Sequence, residues 1–370
     1  MGNVFSSAGH CILEMFIAVS SGAVGVGYLL VKGFQNNFFR NVFAASLTTT
    51  CLIYVFYNDE LDKPTKDKVV FITGCDSGLG FSIAQHLCEE GFTVIAGLLN
   101  LNSDGAIELR KIFGNKIRYV HLDLTDISSI NVAVDSTVQY LDENKDYKLW
   151  ALINNSGVMV FAEFEWQTER LIRQQVEVNL LGTLNLTRAF CPLLRRYKGR
   201  VITVTSHCAQ ACLPGLSVYG ATKAALSSWN DGIRLELKKY GVKVINFIPG
   251  SFIAQSNIMM SHQNNCNEMY QNLTQEQQMF YKNYFVKYNS YLNQLSKPKS
   301  PKKIDDFGLY EELEKAILHV SPKAKYINEP LNYKLYHLLF KWSPTSYIRD
   351  LFIVRFMQVP AFEKSDKNIK

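Results

Sequence analysis

The body of this 370-residue chain carries almost no net charge. Of a formal +6, residues 297–370 supply +5, from 14 basic and 9 acidic side chains. No basic stripe with interleaved aromatics runs through the rest, which sets nucleic acid aside as a partner. Metal-ligand spacing is missing too. Eight cysteines are scattered, Cys208 and Cys212 stand at C-x-x-x-C, and no second Cys/His pair completes a zinc site. The expectation is therefore reduced, mostly buried thiols in a cytosol-facing protein, and no metal. The N-terminus shows no basic start and no small-x-small cleavage site, which argues against a removed signal peptide. No internal repeat or low-complexity segment stands out.

Long uncharged runs are present ahead of Lys63. Positions 15–31 and 41–58 are both free of charge, and the link that joins them holds Lys32 and Arg40. Each is at the lower limit for crossing a hydrocarbon core of about 30 Å. Neither has the polar face of a globular surface helix. A membrane anchor, as one span or a hairpin, is expected over 1–62. Basic residues flank both sides (Lys32 and Arg40, then Lys63, Lys66 and Lys68), so orientation stays open. Met1-Gly-Asn-Val-Phe-Ser6 also fits the short myristoylation pattern.

After a polar linker at 63–68, apolar strands alternate with helical stretches. Strands are expected at 69–73, 92–98, 119–123, 149–153, 201–205 and 242–248, with a helix over 81–90. Continuous apolar strands separated by helices imply a parallel sheet covered on both faces. The fold expected is α/β, a Rossmann-like doubly wound sheet over 69–255. A substrate lid and mostly helical C-terminal extension follow over 256–370.

The polar and glycine residues gather at the ends of these strands, where open parallel sheets bind ligands. Thr73-Gly-Cys-Asp-Ser-Gly-Leu-Gly80 follows the first strand, and Gly74, Gly78 and Gly80 would let a pyrophosphate approach the backbone at a helix N-terminus. Asp123 closes the third strand, placed to accept from an adenine amino group. Asn154-Asn-Ser-Gly157 closes the fourth, and Pro249-Gly250 follows the sixth. Asn179 stands among apolar residues in a helical stretch. Ser206 ends the fifth strand. Tyr219 and Lys223 are four apart, on one helical face. An ammonium held beside a phenol favours the phenolate, so Lys223 is expected to lower the Tyr219 pKa and equip it to move a proton.

Thr73-Gly-x-x-x-Gly-x-Gly80, Asn154-Asn-Ser-Gly157, Asn179, Ser206, Tyr219-x-x-x-Lys223 and Pro249-Gly250 together resemble the short-chain dehydrogenase/reductase superfamily, over residues 67–255. The Thr-Gly-Cys-Asp-Ser-Gly form, with Phe92-Thr-Val-Ile-Ala-Gly97, resembles its membrane-associated branch of retinol, 17β-hydroxysteroid and D-β-hydroxybutyrate dehydrogenases. Glu163-Phe-Glu-Trp-Gln167, Val204-Thr-Ser-His-Cys208 and Asn246-Phe-Ile-Pro-Gly-Ser-Phe252 resemble, more narrowly, insect dehydrogenases of ecdysteroid synthesis. The resemblance implies that Tyr219 is the general acid/base and that Lys223 tunes it and binds the nicotinamide ribose. It implies that Ser206 orients the substrate oxygen and that Asn179 holds a relay water. It further implies cofactor contacts from Thr73, Gly74, Ser77, Gly78, Leu79 and Gly80. Asp123, Leu124, Asn155, Ser156, Gly157, Pro249, Gly250 and Phe252 complete that set. Ser156 stands where the family usually has alanine.

The second strand ends at Gly97, followed by Leu98 and Leu99, so neither an acid for a ribose 2′-hydroxyl nor an arginine for a 2′-phosphate is present there. The missing basic clamp and the branch resemblance favour NAD(H), with NADP(H) left open. Residues 251–296 are rich in Met, Tyr and Phe, which suits a lid over a bulky apolar substrate. The resemblance implies an alcohol–ketone interconversion on a sterol-like substrate, in a homo-oligomer at a membrane. The endoplasmic reticulum with a cytosolic catalytic domain is the compartment it favours, the mitochondrial inner membrane its alternative. Two other readings stand beside it: a 3-hydroxybutyrate or retinol dehydrogenase-like enzyme, and a cofactor-binding sensor or scaffold without turnover. Asn272-Leu-Thr274 is a glycosylation sequon on the expected lid.

Overall fold

The computed structural model describes residues 32–33, 37–56, 60–296, 300–357 and 359–363. The chain divides into two units, residues 1–59 and 60–370. In the first, helix α1 (Asn37–Phe56) takes up most of the second uncharged run. Among the described residues no helix is long and apolar enough to cross a membrane. The span expected over 41–58 therefore finds no support. Arg40, Asn41 and the hydroxyls of Ser46, Thr48, Thr49 and Thr50 interrupt its apolar surface, and the three threonines donate to backbone carbonyls one turn earlier at 2.8 Å. The run at 15–31 lies outside the described residues.

The second unit is organised by one seven-stranded sheet, ordered β3-β2-β1-β4-β5-β6-β7, with every neighbouring pair parallel. Its strands are β1 (Lys68–Thr73), β2 (Thr93–Leu98), β3 (Ile117–His121), β4 (Lys148–Asn154), β5 (Arg200–Val204), β6 (Lys243–Ile248) and β7 (Lys325–Ile327). All residues of β1, β2 and β5 are buried. That pattern follows from Val/Ile-rich runs covered on both faces, as expected for a parallel sheet. On one face pack α2 (Gly78–Glu89), α3 (Asp104–Phe113) and α10 (Phe307–Leu318), through Ile83, Leu87, Leu109, Leu309, Leu313 and Ile317. On the other pack α4 (Ile127–Glu143), α6 (Thr183–Tyr197) and α7 (Ser217–Lys238), through Ile130, Ala133, Leu186, Phe190 and Leu237.

A third apolar cluster lies outside the sheet. Trp166, wholly buried, packs against Phe285 and Tyr288 with ring centroids 4.8 and 5.3 Å away. It anchors α8 (His262–Asn272) and α9 (Gln275–Asn293). A reciprocal capping box between Thr274 and Gln277 starts α9. Helices α11 (Leu331–Trp342) and α12 (Ser346–Met357) complete the chain's described structure.

Six strands fall where the sequence places them. The seventh does not, for it lies beyond residue 255 in the segment expected to be helical lid. Arg200, 1 % exposed, shows how firmly that late segment is built in. Its Nη1 donates to the carbonyls of Ala316 and His319 at the end of α10, and its guanidinium stands 4.3 Å over the Trp150 ring. Burial lowers its pKa to about 10.

Candidate active site

Strand order reverses between β1 and β4, and the carboxyl ends of those two strands open a crevice between them. The turn after β1 needs glycine. Gly74 and Gly78 have φ of 71° and 55°, and a Cβ on Gly80 would stand 2.1 Å from the Gly74 carbonyl oxygen. Ser77, the residue before α2, makes no side-chain cap. The first amides of α2 are thus left to whatever occupies the crevice.

The crevice is one cavity of about 1540 Å³. Its wall includes Gly74, Ser77, Gly78, Leu79 and Gly80 from the glycine turn. Asp123 and Leu124 join from beyond β3, and Asn155, Ser156 and Gly157 from beyond β4. Pro249, Gly250 and Phe252 follow from beyond β6, and Ser206, Tyr219 and Lys223 stand midway. Sixteen of the eighteen site residues expected from sequence are therefore brought to one wall.

The other two are placed differently. The Thr73 hydroxyl, 1 % exposed, accepts from the backbone N–H groups of Asn155 and Ser156 at 2.9 Å, tying β1 to the end of β4. Asn179 is wholly buried in a π-helical segment, Glu177–Gly182, that continues α5 (Glu169–Val176). Its Oδ1 accepts from Val158 N at 2.7 Å, and its Nδ2 donates to Val158 O at 2.8 Å and Thr222 Oγ1 at 3.2 Å. Both side chains shape the backbone behind the wall and do not line it. π-helical turns inserted in α-helices recur at functional sites.

Burial, helped by the neighbouring Cys208, holds the Tyr219 phenol above its ordinary value, and the Ser206 hydroxyl paired with it draws the pKa back down only in part. Lys223 Nζ donates to the Val204 carbonyl at 2.8 Å and stands 5.8 Å from the Tyr219 ring centroid. Burial lowers the lysine pKa to about 8. The expectation that Lys223 lowers the tyrosine pKa is thus not met in this state. The ammonium is turned toward a strand carbonyl, and desolvation dominates both groups.

Two groups were not singled out from sequence. The Asp76 carboxylate, inside the glycine turn, accepts from the backbone N–H groups of Leu99 and Asn100 at 3.0 and 2.9 Å, and it lines the cavity. An acid within the first strand-to-helix turn was the available signal. The second is a set of late residues on the cavity wall, Tyr333 and His337 of α11 and Phe356 of α12, which line it together with Phe161 and Leu213. His207, next to Ser206, faces them, with a pKa lowered to about 4 by burial and the neighbouring His337. No local pattern links residue 207 to residue 337.

This arrangement of glycine turn, switch-point crevice and Ser-Tyr-Lys set is that of a nucleotide-binding oxidoreductase fold. The short chain dehydrogenase family profile matches residues 68–266, and the chain belongs to that family. It is 39% identical over 197 residues to the mitochondrial D-beta-hydroxybutyrate dehydrogenase of Bos taurus, covering 53% of this chain and 57% of that protein. It is 37% identical over 222 residues to estradiol 17-beta-dehydrogenase 2 of Rattus norvegicus, covering 60% and 57%. It is 38% identical over 194 residues to 11-beta-hydroxysteroid dehydrogenase type 2 of Ovis aries, covering 52% and 45%. The matched region thus spans about half the length of these curated relatives.

Proposed function

We propose that the chain is a nicotinamide-dependent oxidoreductase that interconverts an alcohol and a ketone on a bulky apolar substrate of the sterol class. The observation that carries this reading is the single cavity. It runs from the glycine turn past Ser206, Tyr219 and Lys223 to an aromatic end that includes Tyr291, Tyr333 and Phe356. Two relatives named as steroid dehydrogenases support the substrate class.

The wall fits a dinucleotide, because the Gly80 approach leaves no room for a side chain and the α2 amides lack a cap. Once bound, the nicotinamide supplies the hydride exchange with the carbinol carbon. The chain's own residues handle the proton and the oxygen. The Tyr219 hydroxyl gives its proton to, or takes it from, the substrate oxygen. Ser206 orients that oxygen and shares the charge that develops on it. Lys223, protonated below about pH 8, would favour tyrosinate once its ammonium turns from the Val204 carbonyl toward the phenol. Asn179 is a positioning residue, holding Val158 and Thr222 behind Lys223.

NAD(H) is the favoured partner. A 2′-phosphate near the end of β2 would meet the Asp76 carboxylate, and Leu99, Asn100, Ser103 and Asp123 beside it bring no base. We place the chain at a membrane surface through residues 1–62, on the strength of the uncharged run at 15–31. Carbonate extraction of the full chain against a chain lacking 1–59 tests this, and equal release of both overturns it.

A second reading, a short hydroxy acid as substrate, is supported by the hydroxybutyrate dehydrogenase relative and by Arg355 on the cavity wall. One experiment separates the two. Purified protein is assayed by nicotinamide fluorescence with steroid alcohols, steroid ketones and 3-hydroxybutyrate, each with NAD(H) and NADP(H). Turnover of a steroid with NAD(H) supports the first reading, and turnover of 3-hydroxybutyrate alone supports the second. Nucleotide binding with no turnover of any substrate would point to a silent cofactor-binding protein.

A further inference from the structure

His207, Glu329 and His337 come from a catalytic loop, the segment after β7, and α11, yet their ligand atoms lie within 4.8 Å of one another. His337 Nδ1 is 2.7 Å from Glu329 Oε2, and His207 Nδ1 is 3.4 Å from the same oxygen. The two imidazoles stack at 4.2 Å between centroids and 20° between planes. Their side chains are only 11% and 13% exposed, and that of Glu329 10%. Both ring nitrogens of His207 are buried and lack a hydrogen-bond partner. A buried histidine without a hydrogen bond, beside a half-buried carboxylate that already meets His337, leaves two ring nitrogens that ordinarily find a partner.

We propose that these three side chains form a binding site for a divalent transition-metal ion of the Zn²⁺ class, reversing the expectation of no metal drawn from cysteine spacing. Two imidazoles and one carboxylate are a borderline-soft donor set suited to zinc, with ligand bonds of about 2.0–2.2 Å. Closing the present spacings onto one ion requires the two stacked rings to turn, so that a nitrogen of each meets the ion beside Glu329 Oε2. His207 and His337 line the cavity, so a fourth position opens toward it and takes water. His207 follows Ser206 directly. The ion would join the catalytic loop to α11 and hold the aromatic end of the cavity closed over the substrate. This site is independent of the oxidoreductase reading, since it requires neither cofactor nor turnover.

The second cluster of this kind among the described residues, His86, Glu90 and Glu314, serves as the internal control. There Lys303 Nζ is 3.3 Å from His86 Nδ1, so a cation already occupies the neighbourhood.

The test uses the full chain, stripped with chelator and titrated with CoCl₂ and ZnCl₂. One equivalent of Co²⁺ is expected to give tetrahedral d–d absorption without a thiolate charge-transfer band. His337→Ala and Glu329→Gln are each expected to weaken binding at least tenfold, while His86→Ala leaves it unchanged. Zn²⁺ should raise the thermal midpoint of wild type and not that of Glu329→Gln, whose melt without metal reports its folding. Three outcomes overturn the proposal: no saturable binding, which leaves a histidine–carboxylate pair only; equal binding by wild type and both variants; or a thiolate band, which places the ion on cysteines.

Discussion

Tyr219 and Lys223 illustrate how burial and function pull in opposite directions at single residues. Both are shielded from water, and each is pushed toward its neutral form. Replacing Tyr219 by Phe removes only a hydroxyl, and we expect turnover to fall by about 10²–10⁴-fold with nucleotide affinity kept. Single-turnover kinetics beside a nucleotide titration check this, and wild-type turnover in the variant would sink the proposed proton path. Lys223 carries a stability consequence as well. Its folded pKa of about 8 lies below the ordinary lysine value of 10.5. Between those values the unfolded chain binds more protons, so stability rises with pH across about 8 to 10.5. Below pH 8 the buried charge costs on the order of 3 kcal/mol. Lys223→Met should therefore melt higher than wild type at pH 7, with the gap closing as pH rises through that window. A gap independent of pH would mean that packing, not charge, decides the difference.

Among elements, the glycine turn was legible from sequence because only glycine serves its geometry. Gly80→Ala forces a Cβ against the Gly74 carbonyl. A soluble protein with at least about tenfold weaker nucleotide binding, roughly 1.4 kcal/mol, is the expected outcome in a fluorescence titration. Unchanged affinity would remove the turn from the cofactor site. The six long strands were legible for a similar reason, since their Val/Ile runs announce burial on both faces. β7 was not, because Lys325–Ile327 is too short to show a period and is recruited by pairing with β6. Thr73 and Asn179 show a different limit. Their positions in the motifs are plain, but whether a side chain lines a cavity or braces the backbone behind it depends on contacts 21 to 83 residues away. Asp76 was hidden in the same way, its two amide partners lying 23 and 24 residues along the chain.

At the scale of the sheet unit, the division of labour differs from the sequence reading. Residues 304–327 complete the sheet and its helical cover, while α11 and α12 contribute cavity wall. A chain ending at Pro330 keeps every strand and loses that wall. It should retain nucleotide affinity within about threefold and show at least about tenfold higher KM for a sterol-like substrate, as apolar contact area is lost. Equal KM values would show that the C-terminal helices do not meet the substrate. The whole cavity could not be anticipated from sequence, because one end is built around Gly74 and the other around Phe356, far apart along the chain.

The late position of β7 also sets a timetable. β6 ends at Ile248 and pairs with a strand whose last residue is Ile327, with the whole of α8, α9 and α10 made in between. At about 5–20 residues per second, a ribosome takes roughly 4–16 s to make that stretch. Throughout the interval the nascent sheet ends in Asn246, Phe247 and Ile248, an apolar margin with unpaired backbone groups, and Arg200 awaits the carbonyls of Ala316 and His319. The chain is therefore most exposed to mispairing during synthesis of α8, α9 and α10, and that is the window in which a holdase would have most to do.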